Sequence, residues 1–294
     1  MDKMIVNGKA FPQKSLRIRN TEKADRNIRR IIVHSGKFHA DDVFAAAILL
    51  MIWPDAEVER KGAVEKGEYD HDAETIVTDI GHGKFDHHQP DAEIRENGNR
   101  YAACGLVFRE FGELLFEGNA EAADTFEKEY IYPIEITDNG GVSNPLSRFI
   151  SSLNPSWDCG KNSDERFAEA VAFAQTVILR EIERAESEER ALAVVREALD
   201  ASDGIVVVLP RELPWQETLA STTAVYAVYP ANRGGISLRA IPKRKGDRTP
   251  KKPLPKQWLT QKPEGCSFVH PALFAASFLS EEAAVSAARK ALAM

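Results

Sequence analysis

A doubly wound, mainly parallel α/β sheet followed by a smaller C-terminal α+β domain is the fold class this sequence predicts. Three observations lead there. A β-branched run, Ile31-Ile32-Val33, is followed by a polar loop and then an Ala- and Leu-rich helical stretch, Val43 to Trp53, stopped by Pro54. Two further short strands, Ala56–Arg60 and Thr75–Thr78, follow at a spacing that suits βαβ units. After residue 200 the pattern changes from long helices to strands joined by tight turns.

Residues 1–27 mix Gly, Pro and charges, with a short strand or hairpin expected near Met4–Phe11. Helical apolar spacing recurs from Tyr101 to Leu115, where Ala102, Ala103, Cys104 and Gly105 allow close approach. Tight helix–sheet packing and a phosphate at the helix N-terminus both explain those small residues. Another helix is expected over Ala120–Tyr130. Asn144 to Asn162, rich in Ser, Asn, Pro and Gly, reads as a long loop and linker. Helix resumes at Ser163 through Glu183 and again over Glu186–Asp200. Ile205–Leu209, Ala224–Tyr229 and Ile236–Ile241 read as antiparallel strands, the last two joined at Asn232-Arg233-Gly234-Gly235. A Pro-initiated apolar helix is expected after His270. The boundaries expected are 1–150 for the first domain and 151–294 for the second.

Composition narrows the classes. At 294 residues with 43% hydrophobic content the chain can build two ordinary cores. No apolar run is long enough to span a membrane, and the N-terminus lacks the apolar segment of a signal peptide. Cys104, Cys159 and Cys266 are odd in number and form no CxxC pair. A reduced, cytoplasmic protein is therefore expected. A net charge of −7 argues against a general nucleic-acid coat protein, although a local basic groove is compatible with it.

Chemistry concentrates at two places. IVTDIGHGKFDHHQ, Ile76 to Gln89, places Asp79 at a strand end, Gly81 and Gly83 in a turn, and Asp86-His87-His88 on the return. HSGKFHADD, His34 to Asp42, places His34 at another strand end with His39, Asp41 and Asp42 close behind. Taken singly, these acids are turn formers or helix caps, and paired surface histidines are often only solvated. Together they bring oxygen and nitrogen ligands to one sheet edge, which suits a divalent Mn, Fe or Zn ion. Asp138, before Asn139-Gly140-Gly141, is a third acid after an apolar run. Pro242 to Lys262 holds eight Lys or Arg against one Asp, among them Lys243, Arg244 and Lys245. It is either a solvated loop or a phosphate-backbone surface. His270 is either a packed core histidine or a substrate contact.

The blocks HSGKFHADD, VTDIG, FDHHQ, YAACGLVFREFG, ITDNG, LPKQW and FVHPALFAASF, in that order, resemble the DHH phosphoesterase superfamily. More closely, the chain is similar to its melanocyte-proliferating-gene exonuclease family. The resemblance implies two divalent metal ions, usually Mn²⁺. His34, His39 and Asp79 would hold one, and Asp41, Asp79, His87 and Asp138 the other. Asp86 would orient a histidine and His88 would face substrate phosphate. Arg233, Gly234 and Gly235 stand where the superfamily has a longer Gly-rich, His-containing motif. His39 stands where many members have Asp, and His34 lies five residues upstream of it rather than four. The implied activity is metal-dependent phosphodiester hydrolysis, as a 3′–5′ exonuclease on RNA or short oligonucleotides. A small-substrate phosphatase or pyrophosphatase shares the same centre, and a non-catalytic metal- or nucleotide-binding regulator is the alternative of another class. A homo-oligomer is left open.

Overall fold

The computed structural model describes residues 3–12, 27–160 and 162–294. They form two compact units, Met1–Glu183 and Arg184–Met294. The division falls inside a helix, later in the chain than the 150/151 boundary expected from the Ser/Asn/Pro-rich stretch.

The first unit is built on a five-stranded sheet in the order β2-β1-β4-β3-β5. β1 (Lys3–Val6) and β2 (Lys9–Pro12) form an antiparallel hairpin. Asn7 and Gly8 turn it, both at positive φ, as the tightest hairpin turns require. The remaining pairs are parallel: β1 with β4 (Glu57–Lys61), β4 with β3 (Arg30–His34), and β3 with β5 (Thr75–Val77). β3 is buried between its neighbours, which explains its uninterrupted Ile-Ile-Val. Helix α1 (Ala40–Ile52) is buried along its whole length. Such a helix is apolar on all sides rather than striped. Its largest contact is with α2 (Ala103–Leu115).

Several elements differ from the sequence reading. The helix expected to end near Tyr130 runs on. α3 (Ala120–Phe126) passes through a π-helical turn, Glu127–Ile131, into α4 (Tyr132–Asp138). Asp138 therefore closes a helix. The stretch 144–162 is not all loop, because Pro145–Ser152 forms helix α5. Asn144 caps it by accepting the Ser147 amide, and Pro145 sits where a missing N–H does no harm. The two helices expected over 163–200 are one continuous helix, α6 (Ser163–Asp200), because no Gly or Pro interrupts the stretch between them.

The second unit holds a five-stranded sheet in the order β6-β7-β8-β10-β9. β6 (Val206–Val208) pairs with β7 (Tyr226–Pro230) in parallel, not antiparallel as expected, with the short helix α7 (Gln216–Ala220) in the connection. β7 and β8 (Ile236–Ala240) form the expected antiparallel hairpin. β9 (Cys266–Val269) and β10 (Ala275–Phe278) complete the sheet, preceded by a 3₁₀ turn at Lys256–Leu259. Pro271 does not open a helix. The chain turns there, with Leu273 at φ +58°, and enters β10. The last helix, α8 (Glu281–Leu292), starts only after Ser280 caps it, and its alanine face packs on Val228, Leu238 and Phe278. No helix among the described residues is long and apolar enough to cross a membrane.

Candidate metal centre

β3 and β5 are neighbours in parallel register, Ile32 opposite Val77, so His34 and Asp79 emerge side by side at the carboxyl edge. Asp79 adopts φ +59°, uncommon for a residue with a Cβ. Its amide donates to the Phe85 carbonyl at 2.9 Å, closing the loop that returns His87 and His88 to the edge. Gly81 permits the reversal: it sits at φ +86°, and a Cβ there would meet Val64 at 3.0 Å.

Around Asp79 the ligand-type atoms converge. Its Oδ2 lies 3.3 Å from His34 Nε2, and its Oδ1 lies 3.2 Å from His87 Nε2. His87 Nε2 is also 3.3 Å from Asp138 Oδ2 and 3.7 Å from Asp41 Oδ2. Two sets have ligand atoms mutually within 4.8 Å: Asp41, His87 and Asp138; and Asp79, His87 and His88. Elements far apart in sequence thus meet at one point: β3, α1, the loop after β5 and the end of α4.

Asp41 is fully buried and accepts the amides of Ala103 and Cys104 at 2.9 and 2.7 Å. The α2 N-terminus is therefore filled from within the chain, and the small residues there serve packing rather than a phosphate. Gly105 makes room for Glu135, whose carboxylate also accepts the Ala102 amide at 3.2 Å.

His39 is the exposed N-cap residue of α1. Its ring centroid is 5.8 Å from that of His34, and it lines a cavity of about 310 Å³ together with Asp41 and Asp138. Asp86 is buried and accepts three hydrogen bonds, from the amides of His82 and His88 and from His88 Nδ1 at 2.7 Å. That bond holds the exposed His88 ring by one nitrogen and leaves the other free to face a ligand. Asp42 belongs to the second cluster of the sequence but to neither ligand set that the resemblance implies. It accepts the His39 amide at 2.7 Å, and its second oxygen lies 3.1 Å from His34 Nε2. Of the two readings the sequence offers for that position, helix cap and cluster member, the side chain fulfils both at once.

The electrostatics are those of crowded carboxylates. Burial, then Asp79 and Asp138, push the Asp41 carboxyl well above its ordinary value. Burial also raises Asp138. Burial opposes charge on His34 and His87, yet the adjoining carboxylates win and lift them to about 11 and about 9. In return, His34 and His87 outweigh the burial of Asp79 and hold it down to about 2. Asp42 Oδ2, Asp79 Oδ1 and His87 Nε2 are buried without completing a hydrogen bond, although they lie close to other cluster atoms. Buried polar atoms are rarely left so. Carboxylate oxygens and imidazole nitrogens aimed at a common point without bonding each other fit a divalent cation.

The loop before His39 is held from outside. Asn154 accepts the Phe38 amide at 3.0 Å and donates to the Phe38 carbonyl at 2.8 Å. Arg60 donates to the Gly36 carbonyl, Ser163 and Asp164, with its guanidinium over Phe167.

The other predicted site residues lie in the second unit. Arg233, Gly234 and Gly235 form the exposed β7–β8 turn, both glycines at positive φ. Lys243, Arg244 and Lys245 are exposed, with Arg244 3.7 Å from Asp247. His270 accepts the Ala272 amide at 3.1 Å and packs on Phe274, ring centroids 4.3 Å apart.

Comparison with known proteins places relatives beside this geometry. The family model MYG1_exonuc, described as an uncharacterised protein family (UPF0160), matches residues 30–292. The MYG1 exonuclease of Homo sapiens is 25% identical over 327 residues, covering 90% of this chain and 86% of that one. A MYG1 protein of Schizosaccharomyces pombe is 27% identical over 323 residues, covering 90% and 98%. Among solved structures, the exonuclease RecJ bound to manganese is 17% identical with a TM-score of 0.28, covering 96% of this chain and 94% of that one.

Proposed function

The chain belongs to the MYG1 exonuclease family, and on that premise we propose that it is a metal-dependent phosphodiesterase acting as a 3′–5′ exonuclease on RNA or short oligonucleotides. The observation that supports this most is the meeting of Asp41, Asp79, His87 and Asp138 around buried atoms with no hydrogen-bond partner. His34, His39 and Asp79 would hold one ion, and Asp41, Asp79, His87 and Asp138 a second; the mixed oxygen and nitrogen donors suit Mn²⁺, Fe²⁺ or Zn²⁺, and the family resemblance favours Mn²⁺. Two such ions, when bound, polarise a phosphate and acidify a water for in-line attack.

The chain's own groups do the rest. Asp79 faces His34 with one oxygen and His87 with the other, so it can serve both ligand sets. Asp86 fixes the His88 ring through Nδ1 and leaves Nε2 to meet a phosphate oxygen, where a proton on that nitrogen would be donated as negative charge grows. The buried Asp41 is held by two amides and cannot swing towards solvent.

A small-substrate phosphatase is a second reading, and one observation favours it. Three cations of the basic stretch serve the second unit itself. Lys251 donates to the carbonyls of Leu219, Thr222 and Ala224, Lys252 to that of Leu292, and Lys262 to that of Ser267. Fewer basic groups then remain for a polymer. Incubating the Mn²⁺-loaded protein with end-labelled oligoribonucleotides of graded length, and with pyrophosphate in parallel, separates the two. In the same assay Asp79→Asn should lose nearly all hydrolysis and bind less metal while staying folded. Wild-type turnover by that variant would overturn the metal-centre proposal.

A further inference from the structure

We propose that Arg148 is a phosphate-binding residue of the metal centre, meeting the substrate's phosphate from the α5 wall of the cavity that also holds His39, Asp41 and Asp138. The inference rests on the hydrolase reading above and adds to it a residue that the sequence did not single out.

The first argument is charge. The cavity wall carries Asp41 and Asp138, and a phosphodiester entering beside carboxylates needs cationic help from the chain as well as from metal. Arg148 is the single Lys or Arg lining the cavity. Its neighbours there on α5, Ser147 and Ser151, contribute hydroxyls rather than competing carboxylates.

The second is availability. The other arginines near the centre are committed. Arg60 is tied to Asp164, Ser163 and the Gly36 carbonyl, and Arg95 is paired with Glu127 and Glu135. Among the described residues no carboxylate or carbonyl pairs with the Arg148 guanidinium, and its side chain is exposed. A planar fork of donors with no internal partner suits bidentate contact with a phosphate.

The third is placement. The Asn144 side chain fastens the start of α5 to the helix that carries Asp138. Its Nδ2 donates to the Pro133 carbonyl and to Thr137 Oγ1, while its Oδ1 accepts the Ser147 amide. The Arg148 amide donates to the Asn144 carbonyl at 3.1 Å. The root of the Arg148 side chain is thus fixed relative to Asp138, and only the flexible arm has to order when substrate arrives.

The test uses the full chain loaded with Mn²⁺, as wild type, Arg148→Ala and Arg148→Lys. Three quantities are measured: bound metal, affinity for inorganic phosphate by calorimetry, and kcat and KM on a dinucleotide. Arg148→Ala should keep its metal, bind phosphate about 10- to 100-fold more weakly, and lose a similar factor in kcat/KM. Arg148→Lys should recover part of both, because it restores the charge without the fork. Wild-type phosphate affinity and kcat/KM in Arg148→Ala would overturn the proposal, as would loss of metal together with activity, which would mark a structural role. If wild type binds Mn²⁺ but cleaves no dinucleotide, the hydrolase reading falls, and the phosphate titration alone decides Arg148.

Discussion

Asn154 holds Phe38 as a paired strand would, taking its amide proton at 3.0 Å and giving one back to its carbonyl at 2.8 Å. The pair spans 116 residues and ends one position before His39, so it sets where α1 begins. Asn154→Ala removes both bonds and should cost about 1–3 kcal/mol of stability. It should also weaken Mn²⁺ binding, because the His34–Asp42 loop loses one outer anchor and keeps the Arg60–Gly36 contact. Denaturant unfolding and metal titration check this; unchanged metal affinity in the variant would show that the loop does without the Asn154 anchor.

Gly105 offers a test of packing. A glycine inside a helix usually gains stability when changed to alanine. Here a Cβ would fall 1.7 Å from Glu135 Oε1. Gly105→Ala should therefore destabilise by about 1–3 kcal/mol, as overpacking does, and displace the Glu135 carboxylate from the Ala102 amide. A raised melting temperature would contradict this arrangement.

His87 and His88 are adjacent in sequence and separate in expected effect. His87 is buried among Asp41, Asp79 and Asp138, whereas His88 is exposed and tied to Asp86. His87→Ala should lower metal occupancy. His88→Ala should keep most of the metal and slow turnover. Equal metal loss in both variants would reject the division.

Removing metal should make stability fall in alkali. In the chelated protein, protonated His34 and His87 partly replace cations, with folded values of about 11 and about 9 against an ordinary 6.5. Because the folded values are raised, this stabilisation is complete below pH 6.5 and is lost as pH climbs through 9 towards 11. Thermal melts of chelated protein across that range should drop, and the drop should shrink when Mn²⁺ is restored. A flat profile would mean the imidazoles are neutral throughout.

Polymer recognition is tested through salt. Each cation that touches a phosphate displaces counterions, so binding of a long strand weakens as salt rises. Neutralising Lys243, Arg244 and Lys245 together should raise KM for a long oligoribonucleotide and flatten its salt dependence, with a dinucleotide little changed. No effect on either substrate would favour the small-substrate reading.

The legible part of the molecule was the part with two coincident signals. Ile31–Val33 and Thr75–Val77 are β-branched and each leads into Asp and His, so strand and ligand cluster were read together. Asp138 was found as an acid before glycines, but the helix that carries it was not, because the residues before it read only as an apolar run although Pro133 occupies a first-turn position. The same blindness hid α5 in a Ser/Asn/Pro-rich stretch, although Asn144-Pro145 is a cap followed by an N1 proline. Arg148 went unnoticed with it. Glu135 left no trace in sequence, since a lone buried acid is identified only by partners such as Arg95, 40 residues away.

Asp41 is fastened to the α2 amides at the same time as it faces His87 and Asp138. If Asp41 holds an ion as proposed, a residue that also anchors a helix makes ion capture and chain integrity one equilibrium. The holo form gains RT ln(1 + [ion]/Kd), and the same concentration term sets how often the first unit opens to a protease. On the proposed metal centre, withholding the ion should shorten the survival of the first unit under protease as well as abolish activity, and restoring it should reverse both.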